Sequence, residues 1–106
     1  MMDKQALFAK RLEERDVDVP GVGTVRVRSL SRAEALSLRG KEMGAVKMER
    51  VLLSLAMVHP RLTEDEVKQW QEAAPAGELN TVQEVILDLS GMNKEAAKSD
   101  VAEAGD

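Results

Sequence analysis

VLLSLAMVHPRLTEDEVKQWQEAAPAGELNTVQEVILDLSGM, residues 51–92, decides the fold, because it spells out three helices with their start and stop signals in place. The first helix carries Val51, Leu52, Leu55, Ala56 and Val58, and runs from about Met43 to Val58. It stops at His59, since a proline at position 60 disfavours helical geometry in the residue before it. The second opens at Thr63, where Thr63-x-x-Glu66 fits a capping box: the hydroxyl accepts from a free backbone N–H and the glutamate reaches back to the cap residue's own N–H. Leu62 and Val67 stand at the hydrophobic-staple positions around that cap. Over residues 64–74 this helix presents Val67, Trp70 and Ala74 on one face, until Pro75-Ala-Gly77 interrupts it. The third box, Thr81-x-x-Glu84, predicts a helix over 82–90 whose Val82, Val85, Ile86 and Leu89 form an amphipathic stripe, closed by Gly91.

Upstream of this stretch, Ser31-x-x-Glu34 is another capping box, opening a short helix through Ala35, Leu36 and Leu38 that breaks near Gly40. Before it, Val17/Val19 and Val25/Val27 alternate with polar residues on either side of Pro20-Gly-Val-Gly23, the pattern of a β-hairpin. Gly21 and Gly23 supply the positive φ such a turn requires. A hairpin alone is marginal, so its valine face must lie on the helices or on a neighbouring subunit. Residues 3–15 are rich in helix formers and bring Leu7, Phe8 and Leu12 together, which predicts a short N-terminal amphipathic helix. The tail after Asn93 is low in apolar residues and is expected to be mobile. The expectation is therefore an α+β fold, mainly α: one domain over residues 1–92 with four to five helices and an N-terminal hairpin, followed by a flexible tail over 93–106.

Composition narrows the function. With 106 residues the chain has one modest core. Phe8 and Trp70 are its only aromatics, so Leu, Val, Ile, Ala and six Met must fill that core. No cysteine is present, which removes disulfides, thiolate metal sites and cysteine nucleophiles together. No apolar run approaches a membrane span, and the charged N-terminus lacks a signal-peptide core, so a cytoplasmic protein is expected. Charge is uneven: residues 1–61 carry 12 Lys and Arg against 8 Asp and Glu, while residues 62–106 carry 3 against 11. The halves are thus +4 and −8, a layout that either only keeps the chain soluble or suits head-to-tail self-association or a charged protein partner. Nucleic acid is disfavoured, because the positive half has no dense basic cluster interleaved with aromatics.

Residues able to perform chemistry are few. His59 stands alone beside Pro60 with no second histidine, so no zinc site is expected. Glu64-Asp65-Glu66 stabilises a helix start, where the macrodipole favours negative charge. Gly21-Val-Gly23 lacks the lysine and remaining glycines of a phosphate loop. The serines have no base at a recognisable spacing. No catalytic, cofactor or metal residues are expected, and the protein reads as a non-enzyme without a cofactor. Binding is the expected occupation. Met43, Met48 and Met57 cluster around the central helix and, with Trp70, are the candidate partner-binding residues, since thioethers adapt to irregular surfaces. The same side chains also suit a core short of aromatics.

The order of motifs resembles the small tail assembly chaperones of long-tailed bacteriophages. The likeness covers about residues 17–92 and is carried by VPGVGTVRVRSLSRAEAL, by HPRLTEDEVKQW and by VQEVILDLSGM. It implies a mostly helical, oligomeric, non-enzymatic protein that binds the tape measure protein while tail tube subunits polymerise around it. Tail tube protein is a second implied partner. The resemblance further implies a place in the host cytoplasm and absence from the mature virion. Two alternatives stay open: a phage structural adaptor retained in the virion, as a tail-completion or head–tail connector subunit, and a small regulatory protein or antitoxin.

Overall fold

A computed structural model of the chain describes residues 1–92. The tail expected to be mobile, 93–106, lies outside the described residues. The elements run α1 (Lys4–Phe8), β1 (Glu14–Val19), β2 (Gly23–Arg28), α2 (Arg32–Arg39), α3 (Ala45–Ala56), β3 (Met57–His59), α4 (Glu64–Ala73) and α5 (Glu78–Leu89). The fold is α+β and mainly α, with five helices and a three-stranded antiparallel sheet in the order β1-β2-β3 among the described residues.

The hairpin forms where the valine alternation places it. Glu14 pairs with Arg28 at its open end and Val19 with Gly23 at its turn, with Gly21 and Gly23 at φ 82° and 140°. Val17, Val19, Val25 and Val27 all point to one buried face. The other face is polar, and Arg26 binds Glu14 at 2.7 Å and Asp16 at 2.8 Å across the strands. Helix α5 covers the valine face and also meets α3, which in turn carries α4. The centre of this core is Val27, Leu53, Val67, Val82 and Ile86.

Two of the three capping boxes are complete. Ser31 accepts from the Glu34 N–H while Glu34 accepts from the Ser31 N–H at 2.9 Å, and Thr63 and Glu66 exchange the same pair of bonds. The third box does not form. Helix α5 starts one turn early, at Glu78 behind Gly77, and Thr81 sits within its first turn, donating to the Gly77 carbonyl at 3.3 Å. Burial decides this: Leu79, 4% exposed, joins Val82 and Ile86 on the core side and extends the stripe backwards.

Two other expectations are corrected. The N-terminal helix over 3–15 shrinks to α1, because Glu14 and Arg15 pair with Arg28 and Val27 in β1 and residues 9–13 connect the two elements. Leu7 and Phe8 are left in solvent, 54% and 69% exposed. The central helix ends at Ala56 and not at Val58. Met57 and Val58, with His59, form β3 instead, which pairs with β2 through Val27↔Met57 and Arg26↔His59 and supplies hydrogen-bond partners to a strand edge otherwise open.

Candidate functional site

The joint between β2, α2 and α5 is held by a connected set of polar bonds. Arg28 grips Glu34 with both guanidinium nitrogens, Nη1 to Oε1 at 2.9 Å and Nη2 to Oε2 at 2.8 Å, and Nη1 also donates to the Ser29 carbonyl. That fork holds the Glu34 carboxyl down at about 2, from an ordinary 4.5, against burial, which pushes it upward; the Ser31 bonds add to the lowering. The same pair raises the Arg28 guanidinium above its ordinary value. Ser90 donates to the Ile86 carbonyl at 2.7 Å and accepts from the Leu30 N–H at 2.8 Å, tying the end of α5 to the loop before α2. These groups are paired with one another, so the joint is structural.

A groove of about 910 Å³ lies beside this joint, walled by Leu7, Phe8 and Leu12 on one side and by Leu30, Arg32 and Leu89 on the other. Charges of both signs line it. Two of its three serine hydroxyls, Ser31 and Ser90, are committed to the cap and to the α5 bridge. Among the described residues no group of three or more His, Cys, Asp or Glu is arranged to hold a metal ion. His59 is exposed, and Glu64, Asp65 and Glu66 occupy the first turn of α4, where Glu64 pairs with Lys47 of α3.

The four candidate binding residues separate. Met57 is 3% exposed and belongs to the core. Met43 and Met48 are half-buried and pack against the edge of that core. Trp70 is half-buried too, and its indole N–H donates to Glu78 Oε2 at 2.8 Å, joining α4 to the start of α5 across the Pro75 break. The four do not make one surface.

Two concave surfaces flank that break instead. On the α3 side a groove of about 400 Å³ is lined by Ala45, Val46, Ala74, Pro75, Ala76 and Leu79. Its polar wall is ordered: Gln71 accepts from Arg50 Nε at 2.7 Å and donates to the Val46 carbonyl at 3.1 Å and to Glu49 at 3.0 Å. Val46 stands 59% exposed beside it. On the hairpin side two adjoining hollows share Pro20, Pro75 and Glu78 and expose Val22 and Trp70. Sequence periodicity had no means of marking these walls. They are built from alanines and prolines brought together by the interruption at residues 75–77, and Val46 falls outside the apolar stripe of α3.

Among the described residues no helix is long and apolar enough to cross a membrane. In comparison with known proteins, the chain matches no family model, no curated protein and no solved structure.

Proposed function

We propose that the chain is a non-enzymatic assembly chaperone of phage tails that binds the tape measure protein through the groove between α3 and the α4–α5 joint. The observation that carries this reading is the groove itself. Its floor is alanine, proline and leucine, an exposed valine stands at its edge, and Glu49, Arg50, Gln71 and Glu72 form a polar rim. An amphipathic helix lays its apolar stripe into such a surface, and small floor residues allow its backbone to come close. The resemblance over residues 17–92 supplies the client: a long, helical, aggregation-prone protein with many such stripes. Tail tube protein is the second partner in this reading. The chain acts in the host cytoplasm and leaves before the virion is complete.

Co-expression with the tape measure protein of the same phage tests the reading. Wild-type chain should keep the client soluble and co-purify with it, and Val46→Asp should lose both while retaining its circular dichroism spectrum. Val46 serves better for this than Met43 or Met48, which pack on the core. A client that stays insoluble with wild-type chain overturns the proposal. Finding the chain in purified virions by mass spectrometry favours the structural adaptor.

A further inference from the structure

The groove beside the Arg28–Glu34 joint has apolar walls and a one-sided charge. Leu7 and Phe8, 54% and 69% exposed, stand on its α1 side, and Leu30 and Leu89 on the other. Lys10, Arg11, Arg28, Arg32 and Arg61 line it against only two acids, Glu14 and Glu34. Glu34 is held by Arg28 and Glu14 bonds Arg26 on the polar face of the hairpin, so neither carboxylate is paired with the other four cations. Arg11 donates to backbone carbonyls alone, those of Ala6, Leu7 and Ala9. Among the described residues Lys10, Arg32 and Arg61 have no partner, and all three are exposed. A chain of net charge −4 thus gathers four uncompensated positive groups around one apolar groove.

We propose that this groove is a second protein-binding site, which takes an acidic amphipathic helix from a separate partner. Complementarity sets the chemistry of that helix: its carboxylates meet Lys10, Arg11, Arg32 and Arg61 while its apolar stripe covers Leu7, Phe8 and Leu89. Backbone bonding sets its form. The N–H groups of Ser29, Leu30 and Ser31 are committed to Glu13, Ser90 and Glu34, and the Ser29 carbonyl to Arg28. An extended segment would leave its own backbone groups unpaired against this wall, whereas a helix pairs them internally. Phe8 supplies the largest apolar contact, since a phenylalanine buries about 150–250 Å². The groove against α3 has a charged rim of Glu49, Arg50 and Glu72, so the two sites carry opposite sign and select different partners.

Calorimetric titration of the full chain with two defined peptides provides the test. Both are helical, blocked at their ends and carry leucine at i, i+3, i+4 and i+7. One has glutamate on the polar face and the other lysine. The glutamate peptide should bind, less tightly as salt screens the groove, and the lysine peptide should bind about tenfold more weakly or not at all. Phe8→Asp, and Arg32→Glu combined with Arg61→Glu, change exposed side chains, so each should keep the wild-type circular dichroism spectrum yet weaken the glutamate peptide about tenfold or more. Val46→Asp should bind it as wild type does. The proposal is overturned by a glutamate peptide that does not bind, by equal affinity for the lysine peptide, by full affinity in Phe8→Asp, or by loss in Val46→Asp, which would put the peptide in the client groove. A chain heavier than 11.6 kDa in light scattering that falls to that mass as the peptide is added would place a second copy in the groove and overturn the separate partner. Client capture that survives Phe8→Asp would leave the proposed chaperone function intact.

Discussion

Replacing Ile86 by alanine tests whether the core sits where α5 meets the sheet. Ile86 is 0% exposed, in one cluster with Val27, Leu53, Val67 and Val82. The substitution removes three carbons, and at about 0.8 kcal/mol for each buried methylene the transfer loss alone is about 2.4 kcal/mol. A cavity term adds to this, since the site has the sheet on one side and α3 near the other and cannot collapse freely. The expected cost is about 3–4 kcal/mol, a large share of the roughly 5–15 kcal/mol typical of a whole domain. With a urea slope of about 1–3 kcal/mol per molar, the midpoint should fall by about 2 M. Ile86→Val should lose about 1 kcal/mol and fall between the two. Asn80→Ala, on an exposed position of the same helix, should stay within about 0.5 kcal/mol of wild type. Equal midpoints for Ile86→Ala and Asn80→Ala would refute the placement of α5 over the valine face.

Two further outcomes follow from the caps and the ion pair. Thr63→Ala removes the acceptor of the Glu66 N–H and should cost about 1 kcal/mol, with Thr63→Ser recovering most of it; identical urea midpoints for the two variants would place the start of α4 elsewhere. The Glu34 carboxyl is depressed in the folded chain to about 2, so its contribution is fully present above about 4.5 and is lost as pH falls towards 2. Since the pair is partly open to solvent, that contribution is about 1–2 kcal/mol after screening. Glu34→Gln should therefore be less stable than wild type at pH 7 and should approach it at pH 2–3, and parallel stability curves across that range would show that the fork contributes nothing.

Legibility followed the strength of the local signal. The hairpin was readable because valine alternation and the Pro-Gly-Val-Gly turn agree, and the starts of α2 and α4 because each capping box is backed by apolar residues in the right register. Thr81 carries an equally good box, but Leu79 outcompetes it: burying one leucine is worth more than one cap. Leu53, at the centre of the core, lies off the pattern read from Val51, Leu52, Leu55 and Ala56, and only the approach of the sheet and α5 to α3 gives it that role. The β3 strand has three residues and no signal of its own; it exists because β2 has an edge to fill. The core methionine and the half-buried tryptophan were visible as apolar residues, but their division between core, core edge and interhelical hydrogen bond depends on tertiary geometry.

The interruption at Pro75-Ala-Gly77 shapes both the groove against α3 and the cleft beneath the hairpin tip. Pro75 lines the groove against α3 and also the cleft beneath the hairpin tip, while Glu78 and Leu79, adjacent on α5, face the cleft and the groove respectively. A change on the cleft side therefore bears on the wall of the client groove through a single short segment whose ends are fixed by α4 and α5. A segment held in its binding geometry costs less to order when the client arrives, so loosening it lowers affinity even where no residue touching the client is altered. With the Trp70–Glu78 bond bracing the segment, that ordering cost is expected to be small in the wild-type chain and larger in Trp70→Phe, which keeps an aromatic ring and removes the donor. Trp70 does not line the client groove, so weaker client binding in this variant would come through the segment. Titrating a tape measure segment into wild-type and Trp70→Phe chains measures it directly. Equal client affinities in the two proteins would show that the groove is independent of the cleft in spite of their shared wall.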